Sequence, residues 1–527
     1  MNTLNIPQLV CRELAALMAS DMAHAVFDVR ERGEFNACQI SHATSLPRSQ
    51  IEFRIARLVP NRGLPVVLYD EGGERAVLAA RTFLECGYSR VSVLRGGLAG
   101  WSEKGLPTAS GVNVPSKAFG ERVHRERSIP EIAPVDLKRL QEQGARLMIL
   151  DARTPEEYRR FCIPGGINVP GGDLILWAEE LRRKTDTTLV INCAGRTRGI
   201  IGTATLRRLG LANVRALKNG TMGWALAGLD LESKPARDGP PPPVTSRERA
   251  NGLAAQIANE EGISWISADE LLDHGQSEGA VVTYLIDVRS ESEYEAGHAP
   301  GSLNVPGGQA VQRADDFIAV RRGRIVFISD EAARAVMAAY WYREMGFPDV
   351  RVLRGGLVEW RERGGSIVTG EEQNEPLGLD SARKSVRILA PDEADALLQS
   401  PNHVALDVGS SLDYAAGHLP GAKWLSRGWL EIKCADRFPD KGQPILLSCA
   451  DGRHSTLAGR ALSELGYRNA FVLEGGMSAW TRAGYATEDG LTDCLAEPND
   501  VVVSPSVKGD KEEMERYLQW ELKLEGE

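Results

Sequence analysis

Cys193 and Cys449 are the side chains of this chain best placed to act as nucleophiles. Each stands 42 residues beyond an aspartate that closes an apolar run, Asp151 in ILDAR and Asp407 in ALDVG. Each opens a short loop with glycine and basic side chains, CAGRTR from Cys193 to Arg198 and CADGRH from Cys449 to His454. A strand that ends in a tight loop and feeds a helix aims several backbone N–H groups into one small bowl, and the helix N-terminus adds partial positive charge. Such a bowl stabilises a thiolate, a bound oxyanion or a persulfide, and cationic neighbours lower the thiol pKa further. Arg196 and Arg198 make the setting of Cys193 the more electropositive. At Cys449, Arg453 and His454 are offset by Asp451.

The same frame occurs four times. Asp28, Asp151, Asp287 and Asp407 open it, and Trp101, Trp224, Trp360 and Trp480 close it, 73 residues later in every copy. A repeat of this length must be recognised before any other reading of the fold. Position 42 of the frame holds Asp70, Cys193, Ser329 and Cys449. Neither Asp70 nor Ser329 offers a thiolate, and their loops are acidic, with Glu71 and Glu74 in one and Asp330 and Glu331 in the other. The first and third copies therefore read as inactive partners with an interface or regulatory role. The sixth loop position is basic throughout (Arg75, Arg198, Arg334, His454), to hold an anion or to cap the loop and helix.

The elements that must position these residues are plainest in the last copy. VALDV, PILLSC and AFVLEGG are short continuous apolar runs of strand length, and TLAGRALSELGY carries an apolar stripe at helical spacing that stops at Gly466. Strands alternating with helices over short loops give an α/β fold, a parallel sheet with helices on both faces. Ligands of such sheets sit beyond the carboxyl ends of the strands, where both cysteines fall.

At 527 residues the chain divides into domains at 1–118, 119–237, 263–375 and 376–493. A proline-rich linker with a short helix fills 238–262, and a tail with an amphipathic helix fills 494–527. The run DGPPPPV, Asp238 to Val244, is stiff enough to space two halves, so the expected organisation is a pair, a spacer and a second pair. Net charge is −10 with 25% charged residues, which points away from nucleic acid. No apolar run reaches the roughly 20 residues of a membrane helix, and the start lacks the features of a signal peptide. Eight cysteines without regular pairing argue against a disulfide framework, so a reducing cytoplasm is expected.

Among the other cysteines, Cys86 shares a column with Leu209, Met345 and Leu465 and is expected to be a small buried core residue. Cys162 shares one with His298 and His418 and could approach Cys193 as a resolving thiol. Cys11, Cys38, Cys434 and Cys494 have no evident partner. No CxxC or HxxxH pair suggests zinc, and His298 and His418 read as turn-stabilising donors rather than metal ligands; no cofactor is implied.

The aspartate-closed strand, the GHLPGA and GHAPGS loops, the cysteine loop and the GG…W ending resemble the rhodanese-like sulfurtransferase family, four times over nearly the whole chain. The resemblance implies four tandem rhodanese-like domains and a thiosulfate sulfurtransferase-type double displacement. A small anionic donor such as thiosulfate leaves its outer sulfur on the cysteine as a persulfide, and a thiol or cyanide acceptor removes it. Carried onto this sequence, the persulfide positions are Cys193 and Cys449. Their cradles are Ala194, Gly195, Arg196, Thr197 and Arg198, and Ala450, Asp451, Gly452, Arg453 and His454. The loops match neither the CRKGVT nor the CGSGVT type of thiosulfate and mercaptopyruvate enzymes, so the donor stays open. Two other readings use the same residues. One is a cysteine-dependent phosphatase or arsenate reductase, which the C-x4-R spacing disfavours because related phosphatases resemble C-x5-R. The other is a non-catalytic scaffold of four binding modules. In the tail, Met514, Tyr517, Leu518, Glu521 and Leu522 lie at helical spacing, to dock on the fourth domain or on a second subunit of a homodimer.

Overall fold

A computed structural model describes residues 6–235, 237, 239–274, 281–370 and 375–524. The first five residues, Asp238 at the head of the proline run and the last three residues of the tail lie outside these. Among the described residues, four parallel sheets of five strands repeat one strand order. In the fourth copy it runs Arg387–Leu389, Ala470–Leu473, Ile445–Ser448, Val404–Asp407, Lys423–Trp424. The first copy places Gln8–Leu9, Val91–Leu94, Val66–Tyr69, Ala25–Asp28 and Thr44–Ser45 in the same sequence. Central strands such as VVLY and ILLS are apolar without alternation because helices cover both faces, and all four of their residues are buried. The outermost strands are two or three residues long, which leaves little free edge to pair with another chain.

Register is what assembles the site. The opening aspartate pairs with the last residue of the central strand: Asp28 with Tyr69, Asp151 with Asn192, Asp287 with Ile328, Asp407 with Ser448. The next residue along is Asp70, Cys193, Ser329 or Cys449. The glycine four residues before each tryptophan presses on the same spot. Gly220 and Gly476 have φ of +56° and +60°, and a Cβ on either would stand 2.2 Å from the carbonyl oxygen of Cys193 or Cys449. Only glycine meets both demands. The tryptophans lock the far side: Trp101, Trp224, Trp360 and Trp480 each donate the ring N–H to the carbonyl six residues on, at 2.8–3.0 Å.

The repeats do not pair in chain order. One compact unit is Met1–Gly111 with Gln373–Val502, the first and fourth copies; the other is Val112–Glu372 with Val503–Glu527, the second and third copies with the tail. In the first unit Arg427 forks onto Glu52 at 2.5 and 3.0 Å, and Arg48 pairs with Glu431. In the second, Trp341 donates to Thr205 Oγ1 at 3.1 Å. The expected pair–spacer–pair order is thus corrected. The segment after the prolines is no spacer but a 17-residue helix, Val244–Glu260, whose Ala250, Ala254, Ile257 and Ala258 are buried within the second unit. Arg247 and Asn251 fix it to Glu331 at 2.7 and 3.2 Å.

The tail is corrected as well. Its helix, Lys511–Lys523, docks not on the fourth copy but on the second, with Met514 and Leu518 buried against Met222. Cys86 is half-buried at a helix C-terminus rather than in the core, because the column marks the last turn. No described helix is long and apolar enough to cross a membrane.

Candidate functional site

In the fourth copy the central strand delivers Cys449 to the N-terminal end of helix Arg453–Glu464. Its Sγ accepts from the amides of Gly452 at 3.2 Å and Ser455 at 3.4 Å, and the Ser455 hydroxyl lies 3.4 Å away. Gly452 takes a φ of +88°, which turns its amide inward. Burial pushes the thiol pKa up; the Ser455 hydroxyl and amide oppose this, while Asp407 and Asp451 add to it.

The first copy shows the same bowl filled by a side-chain carboxylate. The Asp70 carboxylate accepts from the amides of Gly72, Gly73 and Ala76 at 2.8, 3.0 and 3.1 Å. Gly73 and Ala76 lie three and six residues past Asp70, as Gly452 and Ser455 lie past Cys449. In the third copy Ser329 leaves its hydroxyl unpartnered, and Asp330 instead takes the amide of Leu357 at 3.0 Å.

Two arginines that frame the loop in the other copies are missing from the fourth. Arg30, Arg153 and Arg289 fork onto the opening aspartates Asp28, Asp151 and Asp287, with closest contacts of 2.7 Å. Gly409 stands there in the fourth copy, and Asp407 is left to the Ser448 hydroxyl at 2.8 Å and the Gly409 amide at 2.9 Å. Burial lifts its carboxyl to about 6 against those bonds. The sixth-position arginines pair with a glutamate in the helix after the first strand: Arg75 with Glu34, Arg198 with Glu157 and Arg334 with Glu293, at 2.6–2.8 Å. Despite its burial, Glu157 is held at about 2 by Arg198. There the basic sixth residue pins the loop to the helix after the first strand. His454 has no such bond. It stacks on Phe53 at 4.2 Å, and burial drops its pKa to about 3, leaving it neutral. With both arginines gone, a cavity of about 330 Å³ opens above the loop, lined by Gly409, Ala450, Asp451, Arg453, His454 and residues of the first copy.

Cys193 sits in a closed bowl. Arg196 turns away from it onto Glu121 at 2.6 Å and Glu131 at 3.2 Å, and Arg198 is taken by Glu157. Arg196 is thus neutralised by the buried Glu121, while Arg198, paired with Glu157, still acts on the Cys193 thiol. Over the loop lies the tail helix. Glu521, fully buried, accepts from the Thr197 hydroxyl at 3.0 Å and pairs with Lys117 at 3.4 Å. A Cβ on Gly195 would meet the second Glu521 oxygen at 3.2 Å and the Tyr517 ring at 3.7 Å. Burial raises the Cys193 thiol; Arg198 and the amides of Gly199 and Gly195 pull it down, and Glu521 adds to the rise.

The remaining thiols form no disulfide with either loop cysteine. All eight cysteines are free, and Cys162 donates to the Ile163 carbonyl at 3.2 Å. His298 and His418 each direct Nδ1 at the carbonyl four residues earlier and stack on Tyr294 and Tyr414. Among the described residues no cluster of His, Cys, Asp and Glu could hold a metal. Sequence reasoning missed Gly409 and Ser455, and took Asp407 only as a strand end and Glu521 only as a helix position. Gly409 was visible as the one departure from arginine two residues past the opening aspartates; Glu521 had no local signal.

Residues 11–104, 133–227, 267–363 and 390–483 match the rhodanese-like domain. A crystal structure of a thiosulfate sulfurtransferase from Pseudomonas aeruginosa is similar over 99% of this chain and 97% of that one, with a TM-score of 0.89 and 36% identity. A putative thiosulfate sulfurtransferase, SseB, of Mycobacterium tuberculosis is 29% identical over 233 residues, 39% of this chain and 80% of that protein. The 3-mercaptopyruvate sulfurtransferase of Escherichia coli is 28% identical over 222 residues, 36% of this chain and 76% of its own.

Proposed function

We propose, on the premise that this chain belongs to the family of rhodanese-like domains and is a sulfurtransferase, that Cys449 carries sulfur as a persulfide between a small donor and a thiol or cyanide acceptor. The observation that carries this reading is the shared pair of amides. The N–H groups three and six residues on hold a side-chain carboxylate at Asp70 and point at Sγ of Cys449. A bowl that satisfies a carboxylate also stabilises a thiolate and the terminal sulfur of a persulfide.

With thiosulfate, the donor class named for two of the relatives, the Cys449 thiolate attacks the outer sulfur. A Cys449–sulfur bond forms, the S–S bond of thiosulfate breaks, and sulfite leaves with the electron pair. Ala450 to His454 form the cradle, with the amides of Gly452 and Ser455 as its working groups. Cys193 and its cradle, Ala194 to Arg198, form a second bowl of the same design that Glu521 and Tyr517 close. Steady-state sulfur transfer tests the assignment. Cys449→Ser should lose about 10³-fold or more, the scale of removing a covalent nucleophile, while Cys193→Ser stays within about twofold, inside the usual spread of neutral changes. The reverse pattern would overturn it.

A further inference from the structure

The charge lining the cavity above the Cys449 loop is unlike that of a site built for anions alone. Carboxylates of Glu31, Asp413, Asp451 and Asp500 face it with a single guanidinium, Arg453, which Asp451 already engages at 2.6 Å. Two of these carboxylates have unused acceptors. Glu31 is 2% exposed; one oxygen accepts from the Ser426 hydroxyl at 2.7 Å and the other has no partner. Asp500 accepts from the Ser411 amide at 2.9 Å through one oxygen, and its other oxygen is also unpartnered. A buried carboxylate oxygen without a donor costs free energy that a ligand donor recovers. Burial lifts Glu31 to about 7 against the Ser426 bond, and Asp500 adds to the rise, as two like charges sharing one space would. An anionic acceptor group seated between Glu31 and Asp500 would raise that repulsion, whereas an ammonium group there brings three donors and the opposite charge.

We propose that this cavity takes a small aminothiol as the sulfur acceptor, its ammonium between Glu31 and Asp500 and its sulfur toward Cys449. The assignment rests on the reading of Cys449 as the persulfide-bearing residue and names the acceptor for that site. The cavity, about 330 Å³, lies at the small end of the range for ligand sites, enough for a molecule of amino-acid size. In the step, the acceptor thiolate attacks the outer sulfur of the Cys449 persulfide. A new S–S bond forms on the acceptor, the Cys449–sulfur bond breaks, and its electron pair returns to Sγ as the thiolate. No oxidant or reductant is consumed. The first copy, without a nucleophile of its own, acquires a role here: Glu31 is its contribution to acceptor choice.

The test uses the full chain, with thiosulfate as donor and three acceptors of similar size: cysteamine, 2-mercaptoethanol and mercaptoacetate. Each rate is divided by that acceptor's uncatalysed reaction with a small persulfide, which removes differences in intrinsic thiol reactivity. Cysteamine should exceed mercaptoacetate by about tenfold or more in kcat/KM, the scale of one charge-assisted contact. Glu31→Gln and Asp500→Asn should each cut the ratio of cysteamine to 2-mercaptoethanol several-fold. Equal use of the three acceptors, a preference for the anion, or a ratio unmoved in both variants would overturn the acceptor assignment. Peptide mass separates the two levels of failure: if Cys449 gains no sulfur from thiosulfate, the reading of Cys449 fails with it.

Discussion

Replacing Leu518 with alanine should uncover Cys193. The tail helix is held to the second copy by Met514 and Leu518, each 4% exposed, against Met222. Burying two such side chains is worth about 1.5–3 kcal/mol each. The contacts of Glu521 add little net, because taking Lys117 and the carboxylate out of water offsets their attraction. A helix seated by about 4 kcal/mol is lifted about one part in 10³ of the time. Leu518→Ala forfeits about 2 kcal/mol or more, so the uncovered fraction should rise about 30-fold. The assay is alkylation by iodoacetamide, followed by the mass of the Cys193 peptide over time, with half-exposed Cys494 as the internal reference. Cys193 should react about 30-fold faster in the variant while Cys494 keeps its rate. Wild-type Cys193 labelling as fast as Cys494, or a rate unmoved by Leu518→Ala, would refute the seal.

Three further changes probe the Cys449 bowl and its counterpart. Asp407 has a folded pKa of about 6 against an ordinary 3.8, so the native state favours its proton, and the stability it contributes is lost as pH rises from about 4 through 6. Asp407→Asn should therefore gain stability over wild type as pH rises, by up to about 3 kcal/mol above pH 7, and Cys449 should alkylate at lower pH; melts that keep a constant offset from pH 4 to 8 would contradict this. Gly476→Ala puts a Cβ against the Cys449 carbonyl at a φ of +60° and should cost about 2 kcal/mol or more, read as a lower thermal midpoint with loss of transfer. Asp70→Ala strands the amides of Gly72, Gly73 and Ala76 and should cost roughly 1–3 kcal/mol in chemical denaturation.

The sheets and the placement of both cysteines were legible because they follow from local facts: apolar strand runs, a glycine at a carbonyl, a fixed distance between aspartate and tryptophan. The partnership of repeats was not. It is set by scattered ion pairs such as Arg427 with Glu52, 375 positions apart, which leave no periodic trace. Chain order and the proline run suggested adjacent pairs, whereas the chain leaves the first copy, completes the second and third, and returns. The loop charge misled for a related reason. Arg198 looked free in CAGRTR, yet its partner Glu157 stands 41 residues earlier, in the same column as Glu34 and Glu293. The tail helix was legible as amphipathic, but nothing local placed Glu521 over Thr197, 324 positions away. Electropositive sequence therefore marked the closed bowl, and the less basic loop is the one with space above it.

Peptide mapping by mass after treatment of the wild-type chain with thiosulfate tests the central claim most directly. The account predicts that the Cys449 peptide gains the mass of one sulfur atom, reversed by a thiol acceptor, while the Cys193 peptide stays unmodified. Sulfur on the Cys193 peptide with none on Cys449 would contradict it.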